Sequence, residues 1–75
     1  MRITVKVDHG SHRRSLTGRW VKRGEVLGLS PHFDDQVVLS PIDGTIERIE
    51  YDTEEQAVRI TIRPRNAQWE LAHAQ

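Results

Sequence analysis

A strand, a tight turn and a second strand in the middle of the chain constrain its fold more than any other feature. The segment reads Val38-Leu39-Ser40-Pro41-Ile42-Asp43-Gly44-Thr45-Ile46-Glu47-Arg48-Ile49. Proline favours the first corner of a turn because its ring fixes φ, and a glycine after aspartate favours a position with positive φ. We therefore predict a turn at residues 41–44 between two strands, with Gly44 in the left-handed region.

Alternation of apolar and polar residues predicts further strands near both ends of the chain. One parity is apolar in each of two segments, at Ile3, Val5 and Val7 and again at Val58, Ile60 and Ile62. A period of two is typical of strands that bury one face. Ile46 and Ile49 break this parity within the strand predicted for residues 45–51, so we expect either a β-bulge or a strong twist between them.

The last eleven residues differ in composition from the rest of the chain. Residues 65–75 contain no β-branched residue and are rich in alanine and glutamine, which favours a helix, although a helix this short is marginal. We predict a domain at 1–64 and a tail or short helix at 65–75. A chain of 75 residues closes a single core, and its short strands and regular turns predict an all-β barrel or sandwich.

Composition limits the classes of partner. The chain has 11 basic and 11 acidic residues, so no net field attracts nucleic acid, and we predict no nucleic acid partner. The amino terminus mixes charged and apolar residues, which predicts no membrane insertion. The absence of cysteine excludes disulfides and thiolate zinc sites and is compatible with the cytoplasmic, soluble protein that we predict.

A second turn precedes the central segment and extends the pattern. It reads Val21-Lys22-Arg23-Gly24-Glu25-Val26-Leu27, and Gly24 is suited to the positive φ of a tight turn. This segment and residues 40–46 resemble the motifs V-x-x-G-[ED]-x-L and [SA]-P-x-x-G-x-[VI] of biotinyl/lipoyl-like domains. The resemblance covers residues 18–63 and implies the small barrel-sandwich hybrid fold of that family.

The resemblance also shows where a cofactor would be attached. Biotin and lipoyl carriers hold a modified lysine at the tip of the hairpin between the two motifs. The corresponding tip here is Pro31-His32-Phe33-Asp34-Asp35, and neither Lys6 nor Lys22 matches the attachment position. The resemblance therefore implies a structural or protein-interaction module without cofactor. Its predicted partner-binding residues are His32, Phe33, Asp34 and Asp35.

Two alternative functions stay open. The first is a carrier-type component of a multienzyme or transport complex, which would need a modified lysine elsewhere in the chain. The second is a small ligand or metal site formed by loop histidines, with His9 and His12 joined by His32 or Asp34, since imidazole and carboxylate are common zinc ligands. Solvated loop histidines are the simpler interpretation.

No residue pattern indicates catalysis, and we predict that the protein is not an enzyme. The adjacent acids at residues 34–35 and 54–55 point apart in a strand or turn, whereas a catalytic pair must face one substrate. Ser40 lacks the glycine context of a nucleophile elbow. A basic group with Trp20 among its members is compatible with phosphate binding, but a solvated face is the simpler interpretation of His12, Arg13, Arg14, Arg19, Lys22 and Arg23.

Overall fold

The structure is a computed structural model that describes residues 1–11, 17–32 and 35–65. These residues form six strands, β1 Ile3–Asp8, β2 Trp20–Val21, β3 Val26–Leu29, β4 Val37–Leu39, β5 Gly44–Asp52 and β6 Ala57–Pro64. No helix occurs within these three ranges, and the all-β prediction is confirmed. Of the predicted tail or helix at 65–75, all but Arg65 lies outside the described residues.

The strands form a small barrel-like fold from two antiparallel sheets. The larger sheet has the order β1-β6-β5-β2 and curls into a half barrel, and β3 pairs with β4 in a smaller sheet. Ile60 of β6 is at the centre of the larger sheet, because it lies opposite Val5 of β1 and opposite Ile49 of β5. The smaller sheet contacts β1, so the two sheets enclose a common interior.

The core lies between these sheets and consists of aliphatic side chains that are at most 1% exposed, namely Val7, Val21, Leu27, Ile46, Val58, Ile60 and Ile62. Five of the six strands contribute to it. Burying one such side chain stabilises the fold by roughly 1.5–3 kcal/mol. The predicted parity of β1 and β6 is confirmed, since the apolar parity faces the core and residues such as Arg59 and Thr61 do not.

Of the bulge or strong twist expected in β5, the structure has the bulge. Ile46 lies opposite Ile62 and Arg48 lies opposite Thr61, so Glu47 is an extra residue on β5. The extra residue restores the parity of the strand. Ile46 is therefore fully buried, and Ile49 packs against the same core three residues later.

The prediction of a positive φ at Gly44 is wrong, because the glycines with positive φ in the described ranges are Gly18 and Gly24. Gly44 is instead a buried residue at the start of β5, paired with Val21 on one side and Pro64 on the other. A Cβ at this position would overlap the carbonyl oxygen of Arg63 and approach Ile62 Cγ2 at 2.8 Å. Glycine is required here because two backbones approach closely.

We expect Gly44→Ala to lower the free energy of unfolding by about 3 kcal/mol, because the new methyl group meets backbone that cannot move aside cheaply. The measurement is urea-induced unfolding. Gly10→Ala is the matched control, since a Cβ there would have its nearest neighbour, Asp8 Oδ2, at 3.6 Å, and we expect a change within about 0.5 kcal/mol. Equal losses in the two variants would contradict the close-approach explanation.

Gln56 ends the turn between β5 and β6 with a φ of 52°. Its carbonyl accepts a hydrogen bond from the His9 amide at 3.1 Å, which fixes this conformation. A left-handed φ costs a residue with a Cβ roughly 1–2 kcal/mol, and glycine avoids that cost but loses more entropy on folding.

We expect Gln56→Gly to raise the free energy of unfolding by about 0.5–1 kcal/mol as the balance of these two effects. Denaturant unfolding of the purified variants is the measurement. Thr53→Gly in the same turn is the control, because Thr53 has no positive φ and glycine should stabilise nothing there. A loss of stability in Gln56→Gly would show that the Gln56 side chain matters more than its backbone conformation.

Candidate functional site

The two turns that carry the motif resemblance contact each other directly. The Gly24 amide donates to the Ser40 carbonyl at 2.8 Å, and the Ser40 amide donates to the Glu25 carbonyl at 2.8 Å. The Arg23 amide donates to Asp43 Oδ1 at 2.7 Å. We call these three hydrogen bonds the turn junction. It closes the base of the β3–β4 hairpin and fixes that base to the start of β5.

Side chains within the two turns support the junction. Glu25 Oε1 accepts the Lys22 amide at 3.3 Å, and its Oε2 accepts Arg19 Nη2 at 2.8 Å. The acidic residue of the first motif therefore closes its own glycine turn. Ser40 is 2% exposed, and its hydroxyl donates to the Ile42 carbonyl at 2.6 Å, which gives this serine a structural role inside the second turn.

We expect Ser40→Ala to lower the free energy of unfolding by about 1–2 kcal/mol, because the partly buried hydrogen bond to the Ile42 carbonyl is lost. Ser30→Ala is the matched control, since Ser30 Oγ only accepts an exposed amide hydrogen bond from His32 at 3.4 Å. Thermal and urea unfolding of both variants measure the difference. Equal stabilities of the two variants would show that the Ser40 hydroxyl contributes nothing beyond its volume.

Residues 30–36 connect β3 to the antiparallel β4, as expected for a hairpin tip. The Ser30 amide donates to the Gln36 carbonyl at 2.8 Å and closes the loop. His32 and Asp35 are exposed there, whereas Phe33 and Asp34 lie outside the described residues. Partner binding by these four tip residues stays a prediction.

The hairpin that carries this tip exposes three large aliphatic side chains. Val26 is 39% exposed, Val37 is 54% exposed and Leu39 is 45% exposed. Val26 lies directly opposite Leu39, while Val38 points the other way and packs against the core. We call Val26, Val37 and Leu39 the hairpin face. This face is not among the sites predicted from the sequence, although the uninterrupted apolar run at residues 37–39 is a signal for it, since a strand buries only one parity against a core.

The histidines do not form a metal site within the ranges that the structure covers. His9 is exposed, with its ring centroid 5.0 Å from that of Tyr51 at an interplanar angle of 58°. No group of three or more histidine, cysteine or acidic residues among the described residues is arranged to hold a metal ion. His12 and Asp34 of the predicted site lie outside these residues, so that hypothesis stays a prediction.

Ion pairs follow the outer face of the larger sheet, where Arg2 pairs with Glu47 at 2.6 Å, Lys6 with Glu55 at 2.9 Å, Arg59 with Asp52 at 2.6 Å and Arg48 with Glu50 at 3.9 Å. The hydrogen bond from Arg2 lowers the pKa of Glu47. Exposed pairs of this kind contribute little stability individually. Their main effect is that each of these four positive charges is balanced by a neighbouring carboxylate.

The Asp52 carboxylate closes the turn between β5 and β6. Its Oδ1 accepts the amides of Glu54 and Glu55 at 3.1 and 3.2 Å, and its Oδ2 accepts Arg59 Nη2 at 2.6 Å. The Glu55 amide is the largest cause of a lowered pKa of Asp52, and Arg59 adds to it against an opposing effect of desolvation. A lowered folded-state pKa contributes stability that is lost as the pH falls through that pKa.

We expect Asp52→Asn to be less stable than wild type at neutral pH, with the difference shrinking below about pH 4, where the unfolded carboxyl also protonates. Urea unfolding at a series of pH values is the measurement. Glu54→Gln in the same turn is the control and should match wild type throughout. A stability difference for Asp52→Asn that persists unchanged in acid would show that the carboxylate charge is not its source.

Comparisons of this chain with protein-family models, curated proteins and solved structures find no match. The resemblance to biotinyl/lipoyl-like domains therefore rests on the two turn motifs alone. Among the described residues, no helix has the length and apolar character to cross a membrane.

Proposed function

We propose that this chain is a non-catalytic protein-interaction module, a biotinyl/lipoyl-like barrel-sandwich hybrid without attached cofactor, that binds another protein through the hairpin face. The exposure of Val26, Val37 and Leu39 on one side of one hairpin carries this proposal. Contiguous exposed aliphatic side chains on a small domain mark interaction sites. The proposal keeps the cytoplasmic setting predicted from the sequence.

The chemistry of the hairpin face favours a partner with an apolar surface. Its three side chains retain about half of their area for a partner to cover, which corresponds to roughly 2–4 kcal/mol of binding free energy in total. The polar tip residues His32 and Asp35 are exposed on the same hairpin. An apolar centre beside polar groups is the usual composition of a protein interface.

The hairpin is held in place before a partner binds, which supports the proposal. The turn junction fixes its base, and the Ser30 to Gln36 hydrogen bond closes its tip. A preorganised surface loses less conformational entropy on association than a flexible one.

The positions of the two lysines favour an interaction module over a carrier. Lys6 lies in β1 and its Nζ pairs with Glu55 at 2.9 Å. Lys22 follows β2 and its backbone belongs to the turn that Glu25 closes. Neither lies between Ser30 and Gln36, where a swinging cofactor arm would be attached in a carrier.

Site-specific photo-crosslinking in native host cells tests the proposal. A benzophenone amino acid at Val37 should give an adduct with a different protein, whereas the same group at Arg48, on the other sheet, should not. Excess wild-type protein should compete with this adduct, and Leu39→Lys protein should compete poorly because a buried charge opposes docking.

Three results would overturn the proposal. The first is that no adduct forms at Val37, or that Val37 and Arg48 give equal amounts of adduct. The second is that wild-type protein and Leu39→Lys protein compete equally well with the adduct at Val37. The third is an adduct with twice the 8.7 kDa mass of the chain, which would assign the hairpin face to a second copy.

A further inference from the structure

The lysine and arginine side chains within residues 1–11, 17–32 and 35–65 divide into two groups. Those of Arg2, Lys6, Arg19, Arg48 and Arg59 each face a carboxylate. The remaining four in the described ranges, Lys22, Arg23, Arg63 and Arg65, make no ion pair within 4.0 Å with any described residue. The positive charge of Arg63 does act on Glu47, whose pKa it lowers. All four are exposed. The neutral total charge therefore conceals a local excess of positive charge.

The sheet register places these four cations at one end of the larger sheet, around Trp20. Trp20 lies opposite Thr45, which lies opposite Arg63 on the far side. The next row runs from Val21 through Gly44 to Pro64. Arg63 and Arg65 flank that proline, and Lys22 and Arg23 follow Val21.

Asp43 accepts hydrogen bonds from the backbone amides of two of these residues, Arg23 and Arg65. Its Oδ1 accepts the Arg23 amide at 2.7 Å, and its carbonyl oxygen accepts the Arg65 amide at 3.0 Å. The backbones of Arg23 and Arg65 are thereby held on either side of one residue. Their side chains start from fixed positions, which reduces the entropy lost when they bind a ligand.

Trp20 adds an aromatic surface to this group. It is 37% exposed, and Arg65 Cζ lies 5.0 Å from the centroid of its ring. A guanidinium that lies over an aromatic ring keeps its in-plane N–H donors available. These donors match the two oxygens of a carboxylate, so Arg65 is able to bind a carboxylate through two hydrogen bonds.

We propose that the cationic end, formed by Trp20, Lys22, Arg23, Arg63 and Arg65, binds a short acidic segment of a protein partner in extended conformation. Arg63 lies near the end of β6 and Arg65 directly follows the strand, so two cationic side chains stand two residues apart, and alternate residues of an extended chain are about 7 Å apart. Alternate carboxylates of an extended acidic peptide have the same spacing. This surface shares no residue with the hairpin face, and the inference does not rest on the proposed function.

A short acidic segment fits this surface better than a nucleic acid does. Glu47 and Glu50 follow Thr45 along β5, beyond the cationic end. A long polyanion that crossed the sheet would meet these negative charges. The formal net charge of the chain is zero, so a nucleic acid also gains no long-range attraction.

Nuclear magnetic resonance titration with a blocked hexaglutamate peptide tests the inference, and hexaglutamine is the uncharged control. At low salt, hexaglutamate should shift the amide signals of Arg23, Arg63 and Arg65 and the indole signal of Trp20, and these shifts should fade as salt screens the charges. Hexaglutamine should shift none of them. Absence of shifts with hexaglutamate would overturn the inference.

Matched variants separate a specific site from general attraction. Arg63→Gln and Arg65→Gln should each weaken hexaglutamate binding about tenfold, because each removes charge-assisted hydrogen bonds. Arg48→Gln, an exposed arginine on the same sheet, should change binding by less than about twofold, since it lies away from the site. Equal losses in the three variants would overturn the inference. Tighter binding of oligothymidylate than of hexaglutamate would overturn it in favour of nucleic acid.

Discussion

The turn junction is the interaction on which the rest of the structure depends. Two backbone hydrogen bonds, from Gly24 to Ser40 and from Ser40 to Glu25, join the two ends of the β3–β4 hairpin. The third, from Arg23 to Asp43, fixes this base to the start of β5. The next residue, Gly44, must lack a side chain because β5 begins against the backbone of Arg63. The smaller sheet, the larger sheet and the core between them meet at this point.

The hairpin is also attached near its other end. Ser11 Oγ accepts the Leu29 amide at 2.9 Å and donates to the Asp8 carbonyl at 3.2 Å, which links the end of β1 to the end of β3. With both ends held, Leu27 and Val38 pack on the core side. Val37 and Leu39 therefore point away from the core and face solvent, because successive side chains of a strand lie on opposite faces. The apolar hairpin face is thus a consequence of how the hairpin is attached.

The two surfaces proposed for binding have different physical origins. The hairpin face is exposed because β4 is apolar on both parities while the core covers only one of them. The cationic end arises because the carboxylates of the larger sheet pair with other cations, such as Arg2 with Glu47. An apolar surface and a charged surface on one small domain suit a partner that presents an apolar patch and an acidic segment.

Local patterns predicted the fold better than they predicted these surfaces. Alternation identified β1 and β6, and the parity break between Ile46 and Ile49 located the bulge, because both depend on neighbours along the chain. The role of Gly44 was misread, since a glycine that permits close approach and a glycine with positive φ look the same in a sequence. The cationic end could not be predicted from the sequence, because it consists of the cations that lack an ion-pair partner. Which cations are paired depends on contacts between distant residues, such as Arg2 and Glu47, which are 45 residues apart.

Site-resolved amide hydrogen exchange tests the central claim most directly, namely that the turn junction holds the hairpin rigidly on the larger sheet. We expect the amides of Gly24 and Ser40 to exchange only through openings whose free energy approaches that of global unfolding, as for the core amide of Ile60. Exchange of Gly24 and Ser40 as fast as that of Thr53 in the exposed turn between β5 and β6 would contradict the claim, because the hairpin would then open independently of the sheet.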